Sequence, residues 1–324
     1  MTKARLTRRM SLGVVAIALG ALACDSGEVV QPPPPDPEVT PTKASDWVDY
    51  VNWDQSQVVE VEMVEGATSL TFSPNQLTFE AGKPYVLRLV NAGNELKHYF
   101  SPDGFESFYQ AIATRKVQTA DAEYKAPYFD AVELKIGGAL EVFFVPVLAG
   151  TYDIVCTIPG HEEAGMTATV TITGGEGYQL DLEVAPDFDQ SLTSDARKSG
   201  GHEVWASAID ETVGMLESGS TLGYTPPEIE LTADVGYKLR LENSVSNGSK
   251  HYYTAEQFYK SVVWRKADDG EAEIKAPYLR AVELLIGGST TLFIVPTDTG
   301  SFDVICTIPG HVAAGMTGTI QISN

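Results

Sequence analysis

The chain has 324 residues, with 44 Asp and Glu against 22 Lys and Arg, a formal net charge of −22 and a pI near 4.5. That excess of negative charge makes nucleic acid and anionic lipid surfaces poor partners, since both repel it. The length accommodates two domains of ordinary size, each able to bury a core.

Residues 1–23 read as an export signal: a basic start with Lys3, Arg5, Arg8 and Arg9, an apolar run over 12–22, and the small-residue site Ala21-Leu22-Ala23. With those four cations removed, the remainder is more acidic still. Cys24 stands where bacterial lipoproteins carry their acylated cysteine, and that resemblance implies a diacylglycerol anchor there. Cleavage that releases a soluble protein is the alternative. Asp25 follows at once, and resemblance to enterobacterial sorting implies retention at the inner membrane. Residues 24–43 are rich in Pro and polar side chains, a semi-extended tether with nothing to pack.

Domain one is expected over 44–173, a Gly- and Asp-rich linker over 174–200, and domain two over 201–324. Both domains read as β. VVEVEMV, LTFEAG, YVLRLVN, AVELKI, LEVFFVP, TYDIVC and ATVTI in the first, and IELTAD, YKLRLEN, AVELLI, TLFIVP, SFDVIC and GTIQI in the second, alternate or run short and apolar between turn residues. One helix is expected in each domain, over 105–117 and 255–266, where apolar residues fall at roughly helical spacing.

The two domains are copies. Residues 122–172 and 272–322 share 30 identities in 51 ungapped positions, and the register continues upstream until Lys97-His98 meets Lys250-His251. The copied stretch includes CTIPGHEEAGM, from Cys156 to Met166, and CTIPGHVAAGM, from Cys306 to Met316, so Cys-x4-His-x4-Met is written twice. A thiolate, an imidazole and a thioether packed so closely, with a matched upstream His in each copy, suit copper that shuttles between its two oxidation states. Four of the five histidines, His98, His161, His251 and His311, are thereby assigned, and His202 is left over. A disulfide between Cys156 and Cys306 is the competing reading for the two thiols. It would tie together equivalent buried ends of two domains.

In these motifs the chain resembles the cupredoxins, the small blue copper proteins, with a loop spacing similar to that of rusticyanin and auracyanin. The resemblance implies two tandem Greek-key β-sandwich domains, each with one inserted helix and one type 1 copper. It implies His98, Cys156, His161 and axial Met166 as ligands of the first copper, and His251, Cys306, His311 and axial Met316 as ligands of the second. Many members follow the upstream His with an Asn that pins the two ligand loops together, whereas Tyr99 and Tyr252 stand here. Duplicated domains of this kind also build copper enzymes, but their additional centres need further histidines, and only His202 is unassigned. The chain is therefore expected not to be an enzyme. Electron transfer between a redox donor and acceptor is the leading function, with a basic partner favoured by the charge. Copper storage, delivery or resistance through the same ligands is the alternative. The expected location is that of an exported bacterial lipoprotein, on the periplasmic face of a membrane or the cell surface, held through lipid on Cys24.

Overall fold

The computed structural model describes residues 46–103, 107–175, 205–244 and 248–324, all within one compact unit. The expected export signal, Cys24, the expected tether, His202 and most of the expected linker lie outside the described residues.

The first copy contributes β1 (Gln57–Glu65), β2 (Leu70–Ser73), β3 (Gln76–Glu80), β4 (Tyr85–Asn91), β5 (His98–Pro102), β6 (Ile112–Gln118), β7 (Ala122–Lys125), β8 (Ala131–Leu134), β9 (Ala139–Pro146), β10 (Gly150–Val155) and β11 (Thr167–Thr173). The second contributes β12 (Ile209–Ser218), β13 (Thr221–Thr225), β14 (Glu228–Thr232), β15 (Tyr237–Glu242), β16 (His251–Thr254), β17 (Val262–Asp268), β18 (Ala272–Lys275), β19 (Ala281–Leu284), β20 (Ser289–Pro296), β21 (Gly300–Ile305) and β22 (Thr317–Ser323). Two-residue alternation produces them. In β3, Leu77 and Phe79 turn inward while Gln76, Thr78 and Glu80 face water, and β14 repeats the pattern with Ile229 and Leu231. Each copy is a β-sandwich whose core is filled by residues such as Phe72, Phe100, Phe108 and Phe144 in the first, and Phe258, Tyr259 and Trp264 in the second.

The helices expected over 105–117 and 255–266 shrink to one turn each. Among the described residues, a 3-10 turn covers Phe108–Gln110 and an α-helical turn covers Glu256–Lys260, and strand begins at Ile112 and at Val262. The cause of the misreading is a β-bulge. Pairing of β6 with β9 shifts between Thr114 and Lys116, and pairing of β17 with β20 shifts between Trp264 and Lys266. The extra residue breaks the two-residue alternation, so buried positions fall at intervals that imitate a helix.

The sheets do not stop at the boundary between copies. One eleven-stranded sheet runs β14, β22, β21, β16, β19, β7, β6, β9, β4, β1, β2, and the other runs β13, β12, β15, β20, β17, β18, β8, β5, β10, β11, β3. Each sheet is thus one layer from each copy, joined where β7 pairs β19 and where β8 pairs β18, both antiparallel. Since β19 is the second copy's β8 and β18 its β7, the joint is reciprocal. Its edges are matched as well: Lys135 N–H donates to Glu271 carbonyl (2.9 Å), and Leu285 N–H to Asp121 carbonyl (3.0 Å). Gly138 and Gly288 permit this approach, because a Cβ on either would collide with those same carbonyls.

Four glutamates meet across the joint, Glu123 opposite Glu283 and Glu133 opposite Glu273, all buried. Like charges directly opposite are unfavourable, and each is offset by its own lysine: Lys116 to Glu123 (2.5 Å), Lys250 to Glu283 (3.0 Å), Lys97 to Glu133 (2.9 Å), and Lys266 to Glu273. Lys135 also bonds Asp268 of the other copy at 2.5 Å, and Thr119 donates to Asp269 at 2.5 Å. The two copies are therefore locked as one body by backbone ladders and paired charges together.

Candidate metal centre

His98 opens β5, and Cys156 follows directly on β10, so two neighbouring strands of one sheet deliver an imidazole and a thiol to the same end of the sandwich. Between Cys156 and β11 the chain turns back on itself. Gly160 and Gly165 take positive φ values of 87° and 101°, which glycine adopts without the strain a Cβ would bring. His161 N–H donates to Ile158 carbonyl (3.0 Å), Met166 N–H to His161 carbonyl (3.0 Å), and Cys156 N–H to Met166 carbonyl (3.1 Å). That closed loop carries His161 back toward Cys156 and leaves Met166 fully buried in the core.

Three donors converge. His98 Nδ1 lies 3.2 Å from His161 Nδ1, which lies 3.3 Å from Cys156 Sγ. The second copy reproduces this: His251 Nδ1 is 3.2 Å from His311 Nδ1, and His311 Nδ1 is 3.4 Å from Cys306 Sγ. In each cluster all three donor atoms lie within 4.8 Å of one another. Two imidazole nitrogens directed at each other repel through their lone pairs unless a proton or a cation sits between them, and the adjacent sulfur is a soft ligand. The donor set fits copper. Both cysteines are free and buried, each committed to its own cluster, so the competing Cys156–Cys306 disulfide is not formed. The structure brings His98, Cys156 and His161 together, and His251, Cys306 and His311. Met166 and Met316 are tied to these clusters through the loop backbone, Met316 accepting from Cys306 N–H (3.2 Å) and donating to His311 carbonyl (2.9 Å).

Burial sets the electrostatics. It pushes the Cys156 and Cys306 thiols above the ordinary cysteine value, although backbone N–H groups at Ile158 and Tyr99, and at Ile308 and Tyr252, pull the other way. It also lowers His98, His161 and His311, favouring neutral imidazole. In each pair of histidines the strand residue is fully buried and the loop residue is nearer the surface: His161 is 7% exposed and His311 more so.

The tyrosine after each strand histidine links the cluster to the other copy. Tyr99 N–H donates to Cys156 Sγ (3.3 Å), and its hydroxyl accepts from Lys275 Nζ (2.8 Å) across the joint. Tyr252 N–H donates to Cys306 Sγ (3.3 Å), while its hydroxyl donates to Glu123 (3.0 Å). Asn91 and the matching Asn243 hold the loop ahead of each histidine, through Leu96 carbonyl (2.9 Å) and Ser249 carbonyl (2.8 Å).

Two acidic residues were not singled out by sequence reasoning. Glu65 Oε1 is 3.3 Å from His98 Nε2, and Glu217 Oε1 is 2.6 Å from His251 Nε2. Burial opposes ionisation of Glu65, but N–H donors at Leu96 and Glu95 together with His98 outweigh it and lower its carboxyl. Glu217 is lowered chiefly by the Ser249 N–H, then by His251. A signal was available, because Met63-Val64-Glu65 ends β1 and Met215-Leu216-Glu217 stands one residue before the end of β12.

No family model matches the chain. It is similar to auracyanin-B of Chloroflexus aurantiacus, 31% identical over 131 residues, which is 38% of this chain and 55% of that protein. The chain thus spans about half the length of the curated relative it matches. A solved structure of auracyanin B is 26% identical, covering 38% of this chain and 94% of that one, with a TM-score of 0.27. The copper nitrite reductase of Nitrosomonas europaea covers 83% of this chain and 95% of its own at 11% identity, with a TM-score of 0.28. The multicopper oxidase of Campylobacter jejuni covers 83% of this chain and 64% of its own at 10% identity, with a TM-score of 0.31. These likenesses correct the expectation that the chain is not an enzyme: copper oxidases and a copper nitrite reductase stand among its structural neighbours. At such identities they concern the fold alone. The chain thus has tandem β-sandwich copies, each with a His–Cys–His cluster, and its likeness to auracyanin-B agrees with the cupredoxin resemblance of its motifs.

Proposed function

We propose that the protein carries electrons through two type 1 copper sites, one held by His98, Cys156, His161 and Met166, the other by His251, Cys306, His311 and Met316. The observation that carries this reading is the repetition of one buried donor cluster at the same place in both copies. Copper bound there would supply one-electron exchange between its cupric and cuprous states. The protein's part is geometric and electrostatic. A strand histidine and a looped Cys–His–Met segment, each fixed by backbone hydrogen bonds, hold their positions whatever the oxidation state prefers. Burial of both thiols and of both strand histidines keeps water out. The loop histidines, nearer the surface, are the natural contact for a redox donor and acceptor.

The copper-loaded protein tests this. Two copper ions per chain and an intense thiolate-to-copper band in the visible are expected, and metal uptake without such a band would reject the type 1 assignment. The same proposal places the protein outside the cytoplasm as a bacterial lipoprotein anchored through Cys24, supported by the signal-like leader and the Pro-rich tether. The mass of the mature N-terminus is the corresponding measurement, and an unmodified cysteine there would remove the anchor.

A further inference from the structure

Each ligand histidine at the start of a strand is gripped from outside by a neighbouring hairpin. Glu65 ends β1, and its carboxylate accepts from Leu96 N–H (2.9 Å) and Glu95 N–H (3.2 Å) while lying 3.3 Å from His98 Nε2. A few residues later the same hairpin touches the other ligand segment. Leu70 N–H, at the start of β2, donates to Ala164 carbonyl (3.0 Å) inside the Cys–His–Met loop. At Gly165, with φ of 101°, a Cβ would come within 3.3 Å of Leu70 carbonyl, so the loop lies close under the hairpin.

The second copy repeats the arrangement with one backbone donor to the carboxylate instead of two. Glu217 accepts from Ser249 N–H (2.6 Å) and lies 2.6 Å from His251 Nε2. Leu222 N–H donates to Ala314 carbonyl (3.0 Å), and a Cβ on Gly315, with φ of 103°, would stand 3.0 Å from Leu222 carbonyl. The residues flanking these contacts have diverged, Val64 to Leu216 and Glu95-Leu96 to Gly248-Ser249, yet the carboxylate on the outer nitrogen of the strand histidine is present in both copies.

We infer that Glu65 and Glu217 are positioning residues: each fixes its strand histidine with Nε2 protonated and Nδ1 aimed at the metal, and its hairpin ties that histidine to the Cys–His–Met loop. The inference deepens the proposed copper function and rests on it for its redox consequences. A carboxylate offers only acceptors, so the imidazole nitrogen facing it must be the donor. That leaves the Nδ1 lone pair free, and Nδ1 is the atom that faces the other two ligands in both clusters. A negative charge on the far side of the ring also makes the imidazole a stronger ligand and favours the more highly charged metal state. Tyr99 and Tyr252 follow the histidines, so the pin between the ligand segments comes from the hairpin instead.

The test uses the full chain carrying Cys306→Ser, so that only the first site reports, and compares Glu65→Gln and Glu65→Ala with it. Glu217 variants in a Cys156→Ser chain form the matching set. In the metal-free protein, nitrogen NMR of the imidazoles should show His98 with Nε2 protonated in the parent and in the Gln variant, and a mixture of tautomers in the Ala variant. On copper loading, Glu65→Ala should lose tenfold or more in cupric affinity, measured by chelator competition, the order expected when a ligand's hydrogen-bond partner is removed. Glu65→Gln keeps an acceptor but loses the charge, so its oxidation equilibrium should move about tenfold toward the cuprous form, a rise of about 59 mV for one electron. A folded Ala variant with unchanged tautomer, affinity and potential would overturn the inference. A parent chain that takes up no copper would instead overturn the copper reading, and the metal-free NMR comparison would still decide the role of the two glutamates.

Discussion

The two donor clusters agree at their centres and part company at their rims. Inside, the separations between nitrogens are 3.2 Å in both copies and the sulfur-to-nitrogen separations are 3.3 and 3.4 Å. Outside, His161 is followed by exposed Glu162-Glu163, whereas His311 is followed by exposed Val312-Ala313. The links across the joint differ as well: Tyr99 accepts from Lys275, while Tyr252 donates to Glu123. The donor geometry is the same in both copies, and the exposed residues beside the loop histidines differ. The copies should thus behave as equals toward copper and as unequals toward other proteins.

The largest effect tests the equality. Cys156→Ala and Cys306→Ala should each remove one copper and about half of the visible absorption, and the double variant should be colourless, since the charge-transfer band needs the sulfur. Full colour in either single variant would break the equivalence of the copies.

A second measurement sharpens it. Burial raises both thiols, so near neutral pH the metal-free clusters hold protonated cysteines, and capture of a metal by thiolate releases a proton. Apparent affinity should rise about tenfold per pH unit until the thiol ionises, and should weaken in the same proportion on acidification. The lowered histidines His98, His161 and His311 remain neutral in this range and add no further slope until the pH falls below their own depressed values. Chelator competition at several pH values, on each single-site variant, should return the same slope twice. A flat profile at one site would mean that its cysteine does not ligate as thiolate.

The smallest effect tests the inequality. Electron exchange through the first site with a basic partner should slow as salt rises, because exposed charges are screened within about 10 Å at 0.1 M. Exchange through the second, where Val312 is 46% exposed, should respond weakly. Stopped-flow rates on the single-site variants decide, and equal salt slopes would show that Glu162 and Glu163 steer nothing.

Much of this architecture can be read from the residues themselves. The donors were legible because they sit in one copied loop whose Gly160, Gly165, Gly310 and Gly315 mark its turns, and because a matched histidine precedes each. Most strands were legible from alternation. The inserted helices were not, since a bulged strand such as β6, with Ile112, Ala113 and Val117 buried, has no two-residue period left to detect. The joint between copies was invisible for another reason: AEYK and AVEL read as ordinary strands, and nothing local says that their partners lie in the other copy. Glu65 and Glu217 were missed because they stand more than thirty residues from the histidines they support. Repetition of Met-x-Glu in both copies is the clue that would have found them.

The reciprocal pairing of β7 with β19 and β8 with β18 has a consequence for ancestry. A single copy carries both complementary edges, so two separate copies could meet by the same backbone pairings, in the self-complementary manner of a twofold dimer. The fused chain preserves that geometry while freeing each half from its twin's sequence, since a change beside His161 no longer appears beside His311. A symmetric pair must alter both of its faces together; a chain that contains its own partner can specialise one.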